Sequence, residues 1–213
     1  MPRKTTKVKD KWREKSWLQV VAPSSFGGVD IGRIPATDAN KAIDRVIQTT
    51  LYDLLKQDPS HYSIKVSFVI TKVEGNKAFT TFRGHEYARE YMRSLVRRGS
   101  SMVGLIKDYT SRDGYVLRVY LIVFTQGRVN SSRKHRIREA ADRVLKEKSA
   151  SLDYEQLVQE IVLNKTASEI FAEAKKISML RHLGIRKTKL LAAPKEQPAP
   201  ATAPEAEATL AET

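Results

Sequence analysis

The chain has 213 residues, 41% of them hydrophobic, and carries 38 Lys+Arg against 24 Asp+Glu for a formal net charge of +14. That is enough apolar material for one sizeable core, while a charge of this size raises self-repulsion in a compact fold unless a polyanion answers it. The absence of Cys excludes disulfides and thiolate metal sites, and the longest apolar run, YLIVF at residues 120–124, is strand-sized, well short of the roughly 20 residues of a membrane span.

Residues 1–16 form a basic arm. Arg3, Lys4, Lys7, Lys9, Lys11, Arg13 and Lys15 stand there against only Asp10 and Glu14. The segment buries too little to fold alone and is expected to be extended and disordered when free, and it lacks the apolar core of a signal peptide. Trp12 and Trp17 mark its junction with the body. Trp17 is expected to plug the edge of the core rather than stack on a base, while Trp12 stays open between the two roles. The glycines of SSFGGVDIG, residues 24–32, lack the strand-to-helix context of a phosphate loop.

Residues 41–55, KAIDRVIQTTLYDLL, suit a helix through Ile43, Val46, Ile47 and Leu51, yet RVIQTT is rich in strand formers. Periodicity alone does not decide between them. Ile64, Val66, Phe68 and Ile70 then alternate on one face and turn at Gly75 and Asn76 into KAFTTFRG, which predicts a hairpin. In GHEYAREYMRSLVRRG, Tyr87, Tyr91 and Leu95 recur every four residues up to Gly99, which predicts a linking helix. A second hairpin follows, with Arg112, Asp113 and Gly114 between two β-rich runs. Helical spacing then predicts helices over residues 132–148, 153–163 and 167–177. HLGIRKTKLL alternates again and predicts a return to the sheet as a basic edge strand. Antiparallel strands followed by helices make the fold α+β. The tail, residues 192–213, is Ala, Pro and Glu without bulky periodicity and is expected to be a disordered acidic brush. It takes one Lys and four Glu with it, leaving 37 Lys+Arg against 20 Asp+Glu, or +17, in residues 1–191. The chain thus divides into an arm at 1–16, a single α+β domain at 17–191 and the tail at 192–213.

Catalytic chemistry finds little support. His61, His85, His135 and His182 stand far apart, with no second His or Cys at ligand spacing, so no metal site is expected. In GHE the partner that would complete H-E-x-x-H is Arg89, and His85 reads as a capping or core-edge residue. No phosphate-loop, dinucleotide or nucleophile-elbow motif occurs. Neither an enzyme nor a cofactor is expected, and no basic amphipathic helix with bulky anchors points to a membrane surface.

The cations gather in four clusters: the arm, Arg93 with Arg97 and Arg98, a helix start at Arg133, Lys134 and Arg136, and Arg186 with Lys187 and Lys189. Each alone reads equally well as a solvated face. Together they point to phosphates. Arg93 and Arg97 fall one turn apart if the linking helix includes both. The third cluster follows a predicted N-cap at Ser132, where each exposed cation opposes the helix dipole at a cost of about 0.3–1 kcal/mol. Free N–H groups and positive potential at such an end bind phosphate, so these cations become useful once a phosphate docks among them, and Arg128 and Arg138 extend the surface. Phosphate contacts of this kind fix position and carry no base sequence.

The segments KDKWREKSWLQVVAP, FTTFRGHEYAREYMRSLVRRG, TSRDGYVLRVYLIVFT and EIFAEAKKISMLRHLGIRKTKLL closely resemble the small-subunit ribosomal protein family S-three-a-e, or e-S-one, of archaea and eukaryotes. Their order and spacing match along nearly all of residues 7–191, and the compact length resembles archaeal members. The resemblance implies an antiparallel β-barrel-like core with flanking helices, and it favours a strand for DRVIQTTLYDL. It implies a structural constituent of the small ribosomal subunit in the cytoplasm, bound to ribosomal RNA on the platform near the messenger exit and the RNA 3′ end. The partners implied are that RNA and neighbouring ribosomal proteins, with messenger RNA and initiation factors close by. The arm around Trp12, the LVRRG turn and the helix start at Arg133 to Arg138 would face RNA. A free translation-associated RNA chaperone is the rival reading, and a nucleic-acid enzyme a more distant one.

Overall fold

The computed structural model describes residues 12–194. β1 (Ser16–Val21) and β2 (Asp30–Ala36) pair antiparallel around a 3-10 turn at Ser24–Phe26. The segment that periodicity left open resolves both ways: β3 (Val46–Thr50) is a strand, and α1 (Leu51–Leu55) is a short helix. The Thr50 hydroxyl accepts from Asp53 N–H at 3.2 Å, which caps α1 and makes the switch, and α1 buries Leu51 and Leu54.

The predicted hairpins are both present, as β4 (Ile64–Glu74) with β5 (Lys77–Tyr87), and as β6 (Met102–Thr110) with β7 (Val116–Thr125). The helix between them, α2 (Arg89–Leu95), is shorter than the tyrosine spacing predicts. Tyr87 belongs to the end of β5 and Val96 is already extended. The three predicted helices are α3 (Ser131–Ser151), α4 (Tyr154–Val162) and α5 (Lys165–Lys175), and β8 (Leu180–Ala192) follows.

All eight strands join one sheet in the order β2-β1-β5-β8-β7-β6, with β4 on the other side of β5 and β3 beyond β4. The fold is α+β, but the sheet does not close into a barrel. β2 and β3 pack Ile31, Ile34 and Ile47 on one small core with Val20 and Ile70, yet no ladder joins them. The Arg45 guanidinium bridges to the Pro35 carbonyl at 2.9 Å instead, at a residue that has no N–H to offer a ladder. β8 also departs from expectation. It is not an edge strand but runs between β7 and β5, burying Leu183, Ile185 and Thr188 while Arg186 and Lys189 stay exposed. The main core lies where α3, α4 and α5 pack on the sheet, and Ile137, Leu145, Leu157, Ile161 and Ile170 are at most 2% exposed there. Full burial of such a side chain contributes about 1.5–3 kcal/mol.

The β5–β8 joint depends on His85. Its backbone N–H donates to the Thr188 hydroxyl at 3.1 Å, Nδ1 lies 2.8 Å from the same oxygen, and Nε2 lies 3.0 Å from the Ile185 carbonyl. A carbonyl only accepts, so Nε2 carries the proton and Nδ1 accepts from Thr188. The ring is neutral, and burial pushes its pKa down to about 4 against smaller upward pulls from the Ile185 carbonyl and Glu86. At Gly84 a Cβ would stand 2.3 Å from the Thr188 carbonyl oxygen, so no larger residue fits.

Two outcomes follow for stability. Gly84→Ala should cost about 1–3 kcal/mol in denaturant unfolding, because backbone must move to admit the methyl. An unfolded His protonates near 6.5 and His85 near 4, so unfolding takes up a proton between those values. Stability from this group is complete above about pH 6.5 and declines towards pH 4, by up to about 1.4 kcal/mol per pH unit. His182, lowered by burial and then by Arg181, adds in the same direction. Comparing unfolding at about pH 7 and 4.5, His85→Gln should lose less on acidification than the parent, and equal losses would remove His85 from the account.

Candidate nucleic-acid interface

An α-helix starts with four N–H groups that have no intrahelical acceptor. In α3 the N-cap is Asn130, no side chain caps the first turn, and no acid lies in it. Ser132 sits inside the helix rather than capping it, and Arg133 and Lys134 occupy the third and fourth helical positions. Arg133, Lys134 and Arg136 enter no ion pair among the described residues. The nearest acids along the same helix are engaged elsewhere: Glu139 lies 3.1 Å from His135 Nε2, and Asp142 holds Lys107 at 2.8 Å and Lys146 at 3.0 Å. The buried Tyr109 hydroxyl also donates to Asp142, at 3.0 Å. Burial raises the Asp142 carboxyl, but the bonds from Lys107, Lys146 and Tyr109 outweigh it and hold the group below its ordinary range.

Two polar side chains bring the second cluster to this helix start. Ser101 N–H donates to the Thr125 hydroxyl at 3.0 Å, and Thr125 N–H donates to the Ser101 carbonyl at 3.0 Å. The Thr125 hydroxyl donates to Gly127 O at 2.6 Å, and the Ser101 hydroxyl accepts from Val129 N–H at 3.2 Å. Thr125 is wholly buried. This clasp fastens the turn that carries Arg97 and Arg98 to the 126–130 loop that carries Arg128, and so to the start of α3. Gly99, at φ +80°, makes the turn, a conformation that L side chains adopt rarely. Arg181 completes the arrangement, donating to the Leu95 carbonyl at the end of α2 and lying 5.7 Å over the Phe124 ring.

Several sequence expectations change here. Arg93 lies in α2 but Arg97 does not, so the two are not one helical turn apart; the turn, rather than a helix face, presents Arg97 and Arg98. Arg138 stays exposed and also makes a contact the sequence did not suggest, its Nε donating to Gly104 O at 3.0 Å on the outer edge of β6. Arg186, Lys187 and Lys189 belong to a separate stripe. β8 enters with Leu180 opposite Thr125 and reaches Lys187 opposite Tyr120, ~17 Å away along β7 at about 3.3 Å per residue. Lys187 is paired with Glu86 at 2.8 Å. The tryptophans do not plug the core: Trp12 is 61% and Trp17 55% exposed, with Lys15 Nζ 3.9 Å above the Trp12 ring. Trp17 lies in β1, and Trp12 and Arg13 are exposed just ahead of it in the chain. Lys4, Lys7, Lys9 and Lys11 lie outside the described residues, as does most of the tail. Ser101, Thr125 and Arg181 were not singled out in the sequence; isolated Ser and Thr carry no signal of a clasp, and Arg181 sits just ahead of the cluster that drew notice.

Residues 3–194 match the profile of the ribosomal S3Ae family. The chain is 48% identical over 195 residues to the small ribosomal subunit protein eS1 of Desulfurococcus amylolyticus, covering 91% of each. It is 45% identical to the eS1 protein of Sulfurisphaera tokodaii, over 89% of this chain and 97% of the relative, and 43% identical to that of Sulfolobus acidocaldarius, over 88% and 95%.

The geometry divides the cations of α3 into two kinds, and unfolding measurements separate them. Arg138→Gln should lower stability by about 1 kcal/mol through the lost bond to the strand edge. Replacing Arg133, Lys134 and Arg136 together with Gln should leave stability level or raise it by up to about 1 kcal/mol, because cations opposing the dipole are removed. If the triple variant loses as much as the single one, these three cations are internal partners after all.

Proposed function

The chain belongs to the ribosomal S3Ae family, and from that premise we propose that it clamps folded small-subunit ribosomal RNA through the basic surface of Arg97, Arg98, Arg128 and the α3 start. The role in the small ribosomal subunit is structural, among ribosomal RNA and other ribosomal proteins, and the family is one of ribosomal proteins rather than enzymes. The finer reading places the protein on the platform, near the messenger exit and the 3′ end of the RNA, where messenger RNA and initiation factors approach, in cytoplasmic ribosomes. The observation that carries the RNA contact is the group of cations from three segments, held by the Ser101–Thr125 clasp around an uncapped helix end with no acid in its first turn. Folded RNA offers such a surface phosphates and shape, and no base reading is required. Arg93, the Arg186 and Lys189 stripe and the exposed Trp12 supply further contacts, as do the arm lysines. An arm at 1–16, a body at 17–191 and a tail at 192–213 remain the division that fits this role.

Sedimentation separates this reading from that of a free RNA chaperone. The protein should stay with small subunits through a high-salt wash, and ready release would favour the chaperone. Binding to small-subunit RNA should weaken in the triple Gln variant. Its slope of log K against log salt should become shallower by about 2–3, as expected if each lost cation had released one counterion. An unchanged slope would take phosphate contact away from the α3 start.

A further inference from the structure

The sheet forks along β5. β1 pairs with it only as far as Phe79, and β8 joins it only at Glu86. Between these points the Tyr154 hydroxyl of α4 donates to the Phe82 carbonyl at 2.7 Å, where a strand would otherwise bond. The fork opens into a cleft of about 950 Å³ lined by Phe79, Tyr115, Tyr154, Val158 and Leu190 among others. Phe79 is 38% exposed, and Tyr115 stacks on Tyr154 with ring centroids 4.3 Å apart, so one wall is aromatic and already ordered.

The charge of this cleft is opposite to that of the body. Its ionisable acids are Asp113 and Glu155, and no Lys, Arg or His lines it among the described residues. Asp113 accepts from Tyr154 N–H at 2.9 Å, and Glu155 meets the Ser24 hydroxyl at 3.5 Å. A carboxylate offers about four acceptor positions, so both keep capacity for a cation. Phosphate would be repelled here. An extended basic peptide suits the place, because the cleft can take a bulky side chain on its aromatic wall while the carboxylates meet flanking cations.

We infer that the fork cleft docks an extended basic segment of a neighbouring protein in the assembly. One bulky apolar side chain of that segment packs against Phe79 and Tyr115, and flanking Lys or Arg residues meet Glu155 and Asp113. The inference rests on the ribosomal reading above for the neighbour's presence. Ala193 and Pro194 lie at the cleft, which makes residues 195–213 of the same chain the rival occupant. Their single Lys and four Glu give them the wrong sign.

The test places the photo-cross-linking residue p-benzoylphenylalanine at Phe79, and separately at Thr81, in the full chain, both positions being exposed. Small subunits containing the chain are isolated by sedimentation and irradiated, and the joined peptides are sequenced by mass spectrometry. Both positions should capture one Lys- or Arg-bearing segment of another subunit protein. Glu155→Lys should reduce that yield several-fold while the amount of chain in the subunit stays the same. Capture of residues 195–213, of RNA, or of nothing in subunits that contain the chain overturns the inference. Failure of the chain to enter subunits, read directly from sedimentation, overturns the ribosomal reading and this one with it.

Discussion

The molecule depends on the joint between β5 and β8. Without it the described ladders separate into two sheets, β2-β1-β5-β4-β3 and β8-β7-β6. The ladder contact itself is slight, Glu86 opposite Lys187, and side chains make up the difference. His85 spans from Thr188 to the Ile185 carbonyl, Lys187 meets Glu86, and Gly84 lets the Thr188 backbone approach to a distance no Cβ would allow. Buried polar groups bonded on every side are worth more than their sum, and costly when any one is lost. A neutral imidazole does here what several ladder hydrogen bonds do elsewhere in the sheet.

The same joint positions the cationic surface. By entering between the hairpins, β8 sets Leu180 opposite Thr125 and Arg181 under the end of α2, beside the clasp that ties the Arg97 turn to the α3 start. The acids of this region are meanwhile consumed in holding elements together. Asp142 fastens α3 to β6 through Lys107 and Tyr109, while Glu160 and Glu169 share Lys148 across three helices. Ion pairs at a protein surface contribute little each, yet where they form decides which cations are left over. Those left at the α3 start are the ones that gain most from an outside anion.

Hairpins and helices were legible because their signals are local. Gly75 and Asn76 specify a turn, and Ile137, Ala141 and Leu145 recur on one helix face. The limits came where two local patterns coincide or where neighbours decide. Tyr87 and Tyr91 do meet edge to face, with ring centroids 5.3 Å apart, but across a strand end and a helix rather than along one helix. Alternation in IRKTK correctly gave a strand, while its charge argued for an edge. The charge proved compatible with a central position because Arg186 and Lys189 face outward as Ile185 and Thr188 go in. β2 escaped notice because Gly32 and Pro35 interrupt an already short pattern, and β1 because only six residues of it follow the basic arm. Trp17 misled in the other direction: aromatic size suggests burial, yet it stays 55% exposed. Of the cationic site, the residues were legible and their grouping was not. Nothing in sequence joins Ser101 to Thr125, or ties Arg138 to a strand edge.

Arm and body together, at +17 over residues 1–191, would attract RNA to any open surface if charge were spread evenly, and nothing would then keep the orientation unique. The structure sorts it by sign. The uncapped end of α3 combines the helix dipole with cations that enter no ion pair among the described residues, whereas the fork beside β5 combines apolar walls with Asp113 and Glu155. Like charge juxtaposed with phosphate costs free energy, so in the proposed complex the acids of the fork would disfavour RNA there while the α3 start attracts it. Both features follow from β8 inserting next to β5: its entry end anchors Arg181 beside the clasp, and its exit end, diverging from β1, leaves the fork open. One strand insertion therefore positions both the cations around the α3 start and the carboxylates of the fork. A component that must settle in a single orientation on a large polyanion needs both.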